Sequence, residues 1–533
     1  MTQFDYVVVG GGSAGCVLAA RLSEDPAVRV CLVESGPSDD SALVRTPAGA
    51  ALLLPTRIRN WAFETVPQEA MFRRRGYQPR GKMLGGSSSM NAMIYMRGLP
   101  SDYDDWAAAG ATGWAWRDVL PYFLRAENNE RGASELHGTG GPLNVADLRS
   151  PNPFARLFVE AGKEAGLPAN DDFNGPQQEG VGLYQVTQKG GERWSAARAY
   201  LHPAMGRANL AVYTRAHALR VLFDGKRASG VEIQRAGRSE TLAAAREVVL
   251  AAGAFQSPQL LMCSGIGPGG RLRALGLEVV HDAPGVGENL QDHPDYIINR
   301  KVRSGELMGV SLGGSLRLAR ELWRYVRERR GMLTTNFAEA GAFAKSEPGL
   351  ERPDLQLHFV VGMVDNHNRT LHLGHGLSCH VCVLRPRSRG TVRLASSDSR
   401  DAPLIDPNFL AEPEDLAALV RGFKLVRRIL DAPALAAFAS TELYTAQVRD
   451  DAEIERAIRA RADTVYHPVG TCRMGSDAGA VLDPELRVRG VERLRVADCS
   501  VMPSLIGGNT NAPAIMIGER AADFIRHAAR CGE

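Results

Sequence analysis

The sequence predicts an α/β chain that opens on a Rossmann-like dinucleotide-binding unit and carries, further on, an antiparallel sheet backed by helices. Three observations support this. A glycine-rich turn at residues 10–15 sits between an apolar run and a helix-like stretch. Helical periodicity recurs over 317–330 and 415–430. Between those helices, 355–361, 377–384 and 391–395 read as strands, the mixture expected of helices packed on antiparallel sheet.

The N-terminal elements follow in order. Phe4-Asp5-Tyr6-Val7-Val8-Val9 is short, apolar and β-branched, as a strand buried on both faces must be. It runs into Gly10-Gly11-Gly12-Ser13-Ala14-Gly15 and then the helix-like 16–22; a second apolar run, 28–33, ends on Glu34. Strand, glycine turn, helix, strand and acid is the setting in which G-x-G-x-x-G binds a dinucleotide. Gly10 permits the turn, Gly12 admits a pyrophosphate to the backbone, and Gly15 lets helix pack on strand. Ser13 and Ala14 complete the turn that leads to the helix N-terminus, whose free N–H groups and positive dipole end face the phosphates. Glu34 is placed to accept from ribose hydroxyls. At this point FAD and NAD both remain open.

At 533 residues the chain suggests two or three domains. Hydrophobic residues at 44% and charged residues at 23% are those of a globular chain, which excludes disorder, and the 56 Gly point to many tight turns. Lys+Arg number 63 against 60 Asp+Glu, so no basic footprint argues for nucleic acid. The cysteines are scattered. Cys379 and Cys382 fall in an apparent strand, where residues three apart face opposite ways and do not share a metal. Their thiols suggest a reducing compartment. Met1-Thr2-Gln3-Phe4-Asp5 lacks a secretory signal's basic start. The uncharged run 248–270 is broken by Gln256, Ser257, Pro258 and several glycines, a poor membrane span. The expectation is a cytoplasmic protein. Peripheral association with the inner face of a membrane stays open, because a folded apolar patch leaves no trace in sequence.

Two further segments narrow the cofactor. Residues 80–93 (RGKMLGGSSSMNAM) form a loop of glycines and serines, and 248–262 (VVLAAGAFQSPQLLM) a strand running into a helix. They look like the two signature motifs of the glucose–methanol–choline (GMC) family of FAD-dependent oxidoreductases. Asn60-Trp61-Ala62-Phe63-Glu64-Thr65-Val66-Pro67, His467-Pro468-Val469-Gly470-Thr471-Cys472-Arg473-Met474-Gly475 and Gly508-Asn509-Thr510-Asn511-Ala512-Pro513 extend the resemblance to residues 3–527. The bacterial choline dehydrogenase-like and alcohol dehydrogenase-like members are the most similar. The resemblance implies interleaved domains: 1–155, 205–300 and 455–533 bind FAD, and 156–204 with 301–454 bind substrate.

It also implies a cofactor site. Trp61 packs near FAD; Gly85, Gly86, Ser88 and Asn91 line its pyrophosphate and ribityl region; Ala92 follows, and Met93 reaches the flavin. The backbone of Ala218 meets adenine, Ala252 and Gly253 belong to the second signature, and Asp498 accepts from a ribityl hydroxyl. Asn511 reads as an N-cap, with Ala512 and Pro513 in the first turn of a helix whose positive end faces the flavin N1–C2=O edge. Some members attach FAD through a histidine at the position held here by Met90, so this FAD is expected to be non-covalent.

Oxidising an alcohol by hydride transfer to flavin N5 requires loss of the hydroxyl proton, and histidine is the natural acceptor. By resemblance His467 is that base and Asn509 its alkoxide-binding partner. His358, His367, His372, His375 and His380 fit no zinc spacing and read as a loop between strands; His281, His293 and His527 read as turn or surface residues. No metal is expected. Tyr466 precedes the base without an assigned role. The reading is a primary-alcohol dehydrogenase passing electrons to a quinone or other acceptor. An oxygen-using oxidase or choline dehydrogenase stands as the alternative within the family, and a hydroxynitrile lyase outside redox chemistry.

Overall fold

The structure, a computed structural model, describes residues 2–310, 312–438 and 440–531, with the backbone only over 312–318. Its first sheet orders the strands Leu210–Tyr213, Val30–Val33, Thr2–Val9, Arg238–Leu250, Arg227–Arg235 and Ala216–Asp224, and Leu494–Val496 also pairs with Arg238–Leu250. The strands around Thr2–Val9 are parallel, and the last two in the order form an antiparallel excursion. Val7, Val8 and Val9 pair with Val248, Val249 and Leu250 and are buried. The two apolar runs therefore end together and deliver Gly10 and Ala251-Ala252-Gly253 to one edge, where open α/β sheets bind ligands.

The helix Ser13–Leu22 leaves that edge and is buried along most of its length, as its Ala- and Leu-rich sequence allows. The C-terminal helix Asn511–Cys531 packs beside it. Buried Glu519 locks the pair, taking Arg21 at 2.8 Å, Arg125 at 2.8 Å and the Tyr200 hydroxyl at 2.8 Å. Helix 13–22 starts three residues before the predicted 16–22, and the second strand starts at Val30 where an apolar Val28 suggested an earlier start.

The second sheet is antiparallel along its path, in the order Ser440–Glu442, Pro294–Val302, Gly374–Val383, Leu355–Val360, Ala338–Ala344 and Gly180–Leu183. Helices Pro153–Glu164 and Pro413–Leu430 back it. Asn152 caps the first, its Oδ1 accepting the Phe154 N–H at 2.9 Å, and Pro153 opens its first turn. Phe158 stacks on Phe359 at 4.6 Å, and Phe423 meets Tyr296 at 5.5 Å. Strand alternation sorts the faces. Leu357, Phe359, Cys379 and Val381 join the helix-backed core, whereas His358, Val360 and His380 face a cavity, and Cys382 packs on that same side. Cys379 and Cys382 thus point apart, as their spacing requires. The strand Pro294–Val302 spans the expected domain junction at residue 300 and pairs wholly within this second sheet.

Candidate active site

One cavity lies between the strand ends of the first sheet and the inner face of the second. Of the predicted site residues, Gly10, Gly12, Ser13, Ala14, Glu34, Trp61, Gly86, Ser88, Asn91, Ala92, Met93, Ala218, Ala252, Gly253, His467, Asp498, Asn509 and Asn511 all line it. Gly15, Gly85 and Ala512 stand behind the lining. Their tasks are internal to the protein. A Cβ on Gly15 would lie 1.8 Å from Gly10 O, so its bareness serves helix–strand packing. Gly85, at φ +82°, gives its N–H to Gly11 O at 2.7 Å and ties the two glycine loops together. Ala512 is buried in the first turn of the C-terminal helix.

The glycines test whether a dinucleotide fits. Gly10 is at φ +106°, and a Cβ there would meet Ala251 O at 2.4 Å. A Cβ on Gly12 would meet nothing closer than Ala251 O at 3.8 Å. The protein therefore demands no glycine at 12, whereas a pyrophosphate approaching the start of helix 13–22 does. Glu34 is held ready, accepting from Gly11 N at 2.9 Å and Gly36 N at 2.7 Å, while burial pushes its carboxyl up to about 7. Trp61 stacks on Phe63 at 5.6 Å and lies 6.0 Å from His217, beside Ala218, which puts it at the Glu34 side of the cavity.

The serine loop contains the short helical turn Gly86–Ser89 and is pinned from beneath by Arg193, a residue missed in the sequence. Its guanidinium donates to Asn91 O at 2.7 Å, Asn91 Oδ1 at 2.9 Å and Val44 O at 3.2 Å, and burial pulls it down to about 9. One expectation needs correction. Asn511 is the first residue of its helix and not an N-cap; its Oδ1 accepts from the Ser13 hydroxyl at 2.8 Å, joining the N-termini of two helices. Asp498 faces the cavity, and its carboxylate accepts from Gly253 N at 2.8 Å, Ser257 Oγ at 2.6 Å and Ser500 N at 2.8 Å. It braces the turn after the strand Arg238–Leu250 and caps a short helical turn.

His467 and Asn509 meet across the cavity, Asn509 Nδ2 lying 3.2 Å from His467 Nε2. The residue behind them is His293, which the sequence reading placed in a turn- or surface-like context. It is fully buried instead, with Nδ1 at 3.0 Å from His467 Nδ1 and Nε2 at 3.0 Å from Leu384 O and 3.1 Å from Ile506 O. Carbonyl oxygens only accept, so the proton of His293 sits on Nε2. Burial pushes this imidazole down to about 3, so it is neutral and its Nδ1 is a bare acceptor. His467 must then carry its proton on Nδ1, which leaves the Nε2 lone pair facing the cavity. His467 itself is held well below the ordinary histidine value by burial first, then by His293, His358 and Arg80.

A second relay sets Asn509. Tyr184 donates to Leu357 O at 2.7 Å, so its oxygen accepts from Gln356 Nε2 at 3.2 Å; the same amide nitrogen donates to Asn509 Oδ1 at 3.0 Å. The Asn509 amide is thereby turned with its N–H groups toward His467. Asp292 fixes the backbone of both histidines, its Oδ1 accepting His293 N–H at 2.9 Å and His467 N–H at 2.8 Å. Tyr466, next to the base, takes φ +75°, and its hydroxyl lies 2.7 Å from His367 Nδ1. Such strain in a non-glycine residue costs on the order of 1–3 kcal/mol and persists where the surroundings over-determine it.

The histidine-rich segment also differs from expectation. His358 and His380 are paired on adjacent strands and line the cavity; neither lies in a loop. His380 Nδ1 is 2.7 Å from Asp295 Oδ2, while both ring nitrogens of His358 are buried without a partner. His367 and His372 do occupy the intervening loop, His367 with Asp463 and His372 with Asp365. His375 sits at the start of the strand Gly374–Val383.

Known proteins resemble the chain along its length. Residues 4–295 match the N-terminal family model of the GMC oxidoreductases, and 386–518 match the C-terminal one. An alcohol dehydrogenase [acceptor] from Pseudomonas putida is 48% identical over 98% of this chain and 96% of its own. The mitochondrial choline dehydrogenase of Homo sapiens is 43% identical over 98% and 90%. A solved formate oxidase of Aspergillus oryzae RIB40, studied for modification of its FAD, superposes with a TM-score of 0.92 at 27% identity and covers 99% of both chains.

Proposed function

The chain belongs to the GMC oxidoreductase family, and from that premise we propose that it oxidises an uncharged primary alcohol to the aldehyde and passes the electrons to a quinone. It is an FAD-dependent oxidoreductase acting on alcohols. The observation that best supports the finer reading is the pair His467 and Asn509, with the bare Nε2 of one beside the N–H of the other.

Gly12 and the start of helix 13–22 would hold the pyrophosphate, Glu34 the ribose, and the segment 86–93 the riboflavin half. Bound there, FAD supplies the electron sink for the hydride leaving the substrate carbon. The protein's own part is proton handling. The substrate hydroxyl enters between Nε2 of His467 and Nδ2 of Asn509; Nε2 takes its proton, and the amide N–H stabilises the alkoxide oxygen. His293 Nδ1 accepts the hydrogen bond from His467 Nδ1–H throughout and keeps the basic nitrogen on the substrate side. The interleaved domains belong to the same reading, with the junction set before Pro294 because that strand pairs in the second sheet.

An uncharged alcohol suits the lining. Among the described residues its carboxylates are Glu34 and Asp498, both at the cofactor side, so a quaternary ammonium group would meet no acid on the His467 side. There the walls include Phe337, Val360, Val364 and Val465. Assaying an alcohol panel with a quinone or dye and, separately, with oxygen tests the reading. Turnover of primary alcohols with the dye and without stoichiometric hydrogen peroxide is expected; peroxide formed one-to-one with aldehyde, or choline as the preferred substrate, overturns it.

Met90 lies buried in the cavity wall and offers no nucleophilic nitrogen to the flavin. Acid precipitation of the holoenzyme is therefore expected to leave the yellow chromophore in the supernatant. Colour that stays with the pellet would mean a covalent bond elsewhere.

A further inference from the structure

The helix Leu312–Glu328 is inside out over its described side chains. Glu321 and Tyr325 are buried, at 5% and 3% exposure, and Glu321 accepts the Met332 N–H at 2.9 Å. Leu322, Trp323 and Val326, spaced to share the opposite face, are 54%, 60% and 62% exposed. Arginines surround them. Arg320, Arg327 and Arg330 are exposed, and the Arg327 guanidinium lies 6.0 Å from the Trp323 ring. The acids on the helix are Glu321, turned inward, and Glu328, which pairs with Arg324 at 3.5 Å, while Glu192 pairs with Arg329 just past its end at 3.4 Å. Among the described residues no helix is long and apolar enough to cross a membrane.

We propose that this face docks on the surface of an anionic lipid bilayer, with Leu322, Trp323 and Val326 entering the headgroup boundary and the arginines meeting lipid phosphates. Trp beside Leu and Val, rimmed by arginine, is the composition of an interfacial helix, and anionic leaflets attract such basic rims. A second copy of the chain fits less well, since a twofold contact through this face brings like-charged arginines together. The position also suits the chemistry. The chain passes from the helix through Met332–Thr334 to Asn336, Phe337 and Ala338 in the cavity wall, so docking sets the site beside the phase that dissolves lipophilic alcohols and quinones. The inference goes beyond the proposed reaction and does not require it, because binding is measured without turnover.

Flotation of the FAD-loaded enzyme with vesicles of phosphatidylcholine alone, or of phosphatidylcholine with phosphatidylglycerol, tests it. The wild type is expected to float with the anionic vesicles, less so with neutral ones, and to be released by high salt. The triple variant L322E/W323E/V326E is expected to bind at least about tenfold more weakly, with FAD content, melting temperature and dye-linked turnover unchanged. Wild-type enzyme that stays in solution with both vesicles overturns the proposal, as does a triple variant that floats like wild type. A variant that turns a dimer into a monomer by light scattering also overturns it and assigns the face to a second copy.

Discussion

Replacing His467 with alanine is expected to leave FAD bound and to slow anaerobic flavin reduction by an alcohol about 10²–10⁴-fold, the usual cost of losing a general base. The imidazole touches no group that holds the cofactor half together; its ring contacts are His293 and Asn509. Binding and folding should therefore survive, and the loss should fall on the proton step. Asn509→Ala removes a neutral donor and leaves the base in place, so its cost should be smaller, about 10²-fold or less. The pH dependence has a definite sign. Only unprotonated His467 accepts a proton, and burial, with the neighbouring His293, His358 and Arg80, holds its pKa well below the ordinary histidine value. The wild-type reduction rate should thus be flat through neutrality and fall only as pH drops through that depressed value. Stopped-flow bleaching of the flavin reads both effects without involving the electron acceptor. Reduction of His467→Ala at near wild-type rate would remove His467 from the mechanism.

How much of this was legible beforehand depended on how local each demand was. The fingerprint turn was readable because its requirements are met within residues: Gly10 needs positive φ, and Gly15 needs to approach Gly10. The serine loop was readable too, but Arg193, which holds it, lies about a hundred residues further along and carries no local mark. His293 was missed for the same reason, since its partner is 174 positions away. A weak trace existed. Both histidines precede a proline, in His293-Pro294 and His467-Pro468, and Asp292 ties the two backbones together. The strands bearing His358 and His380 were anticipated while the histidines on them were read as loop; applying the two-residue period to 377–384 would have set His380 opposite the Cys379 face. Asn511 met every local rule for an N-cap, and the tertiary contact with Ser13 overrode it.

The tautomer argument gives the second large effect. His293→Leu removes the acceptor that holds the proton on His467 Nδ1, so the imidazole is free to place its proton on Nε2, where it cannot act as a base. A mis-set tautomer in the Ser-His-Asp arrangement costs about 10⁴-fold; here, with Asn509 still in place, about 10²-fold or more is expected in flavin reduction. His293→Asn discriminates between causes. Its Oδ1 can sit where Nδ1 stood and accept the same proton, so activity should stay within about tenfold of wild type. Both substitutions leave Leu384 O and Ile506 O without the imidazole donor, at a stability cost of about 1–3 kcal/mol for each unsatisfied group. Melting temperature should therefore drop similarly in the two variants while their rates diverge. A purely structural role predicts the opposite, with rates that fall together. The same distinction appears in a double-mutant cycle: because His293 acts through His467, adding His293→Leu to His467→Ala should cost little more in rate. Equal rates for the Asn and Leu variants, or a full additional loss in the His467→Ala background, would show that His293 does not work through the tautomer of His467.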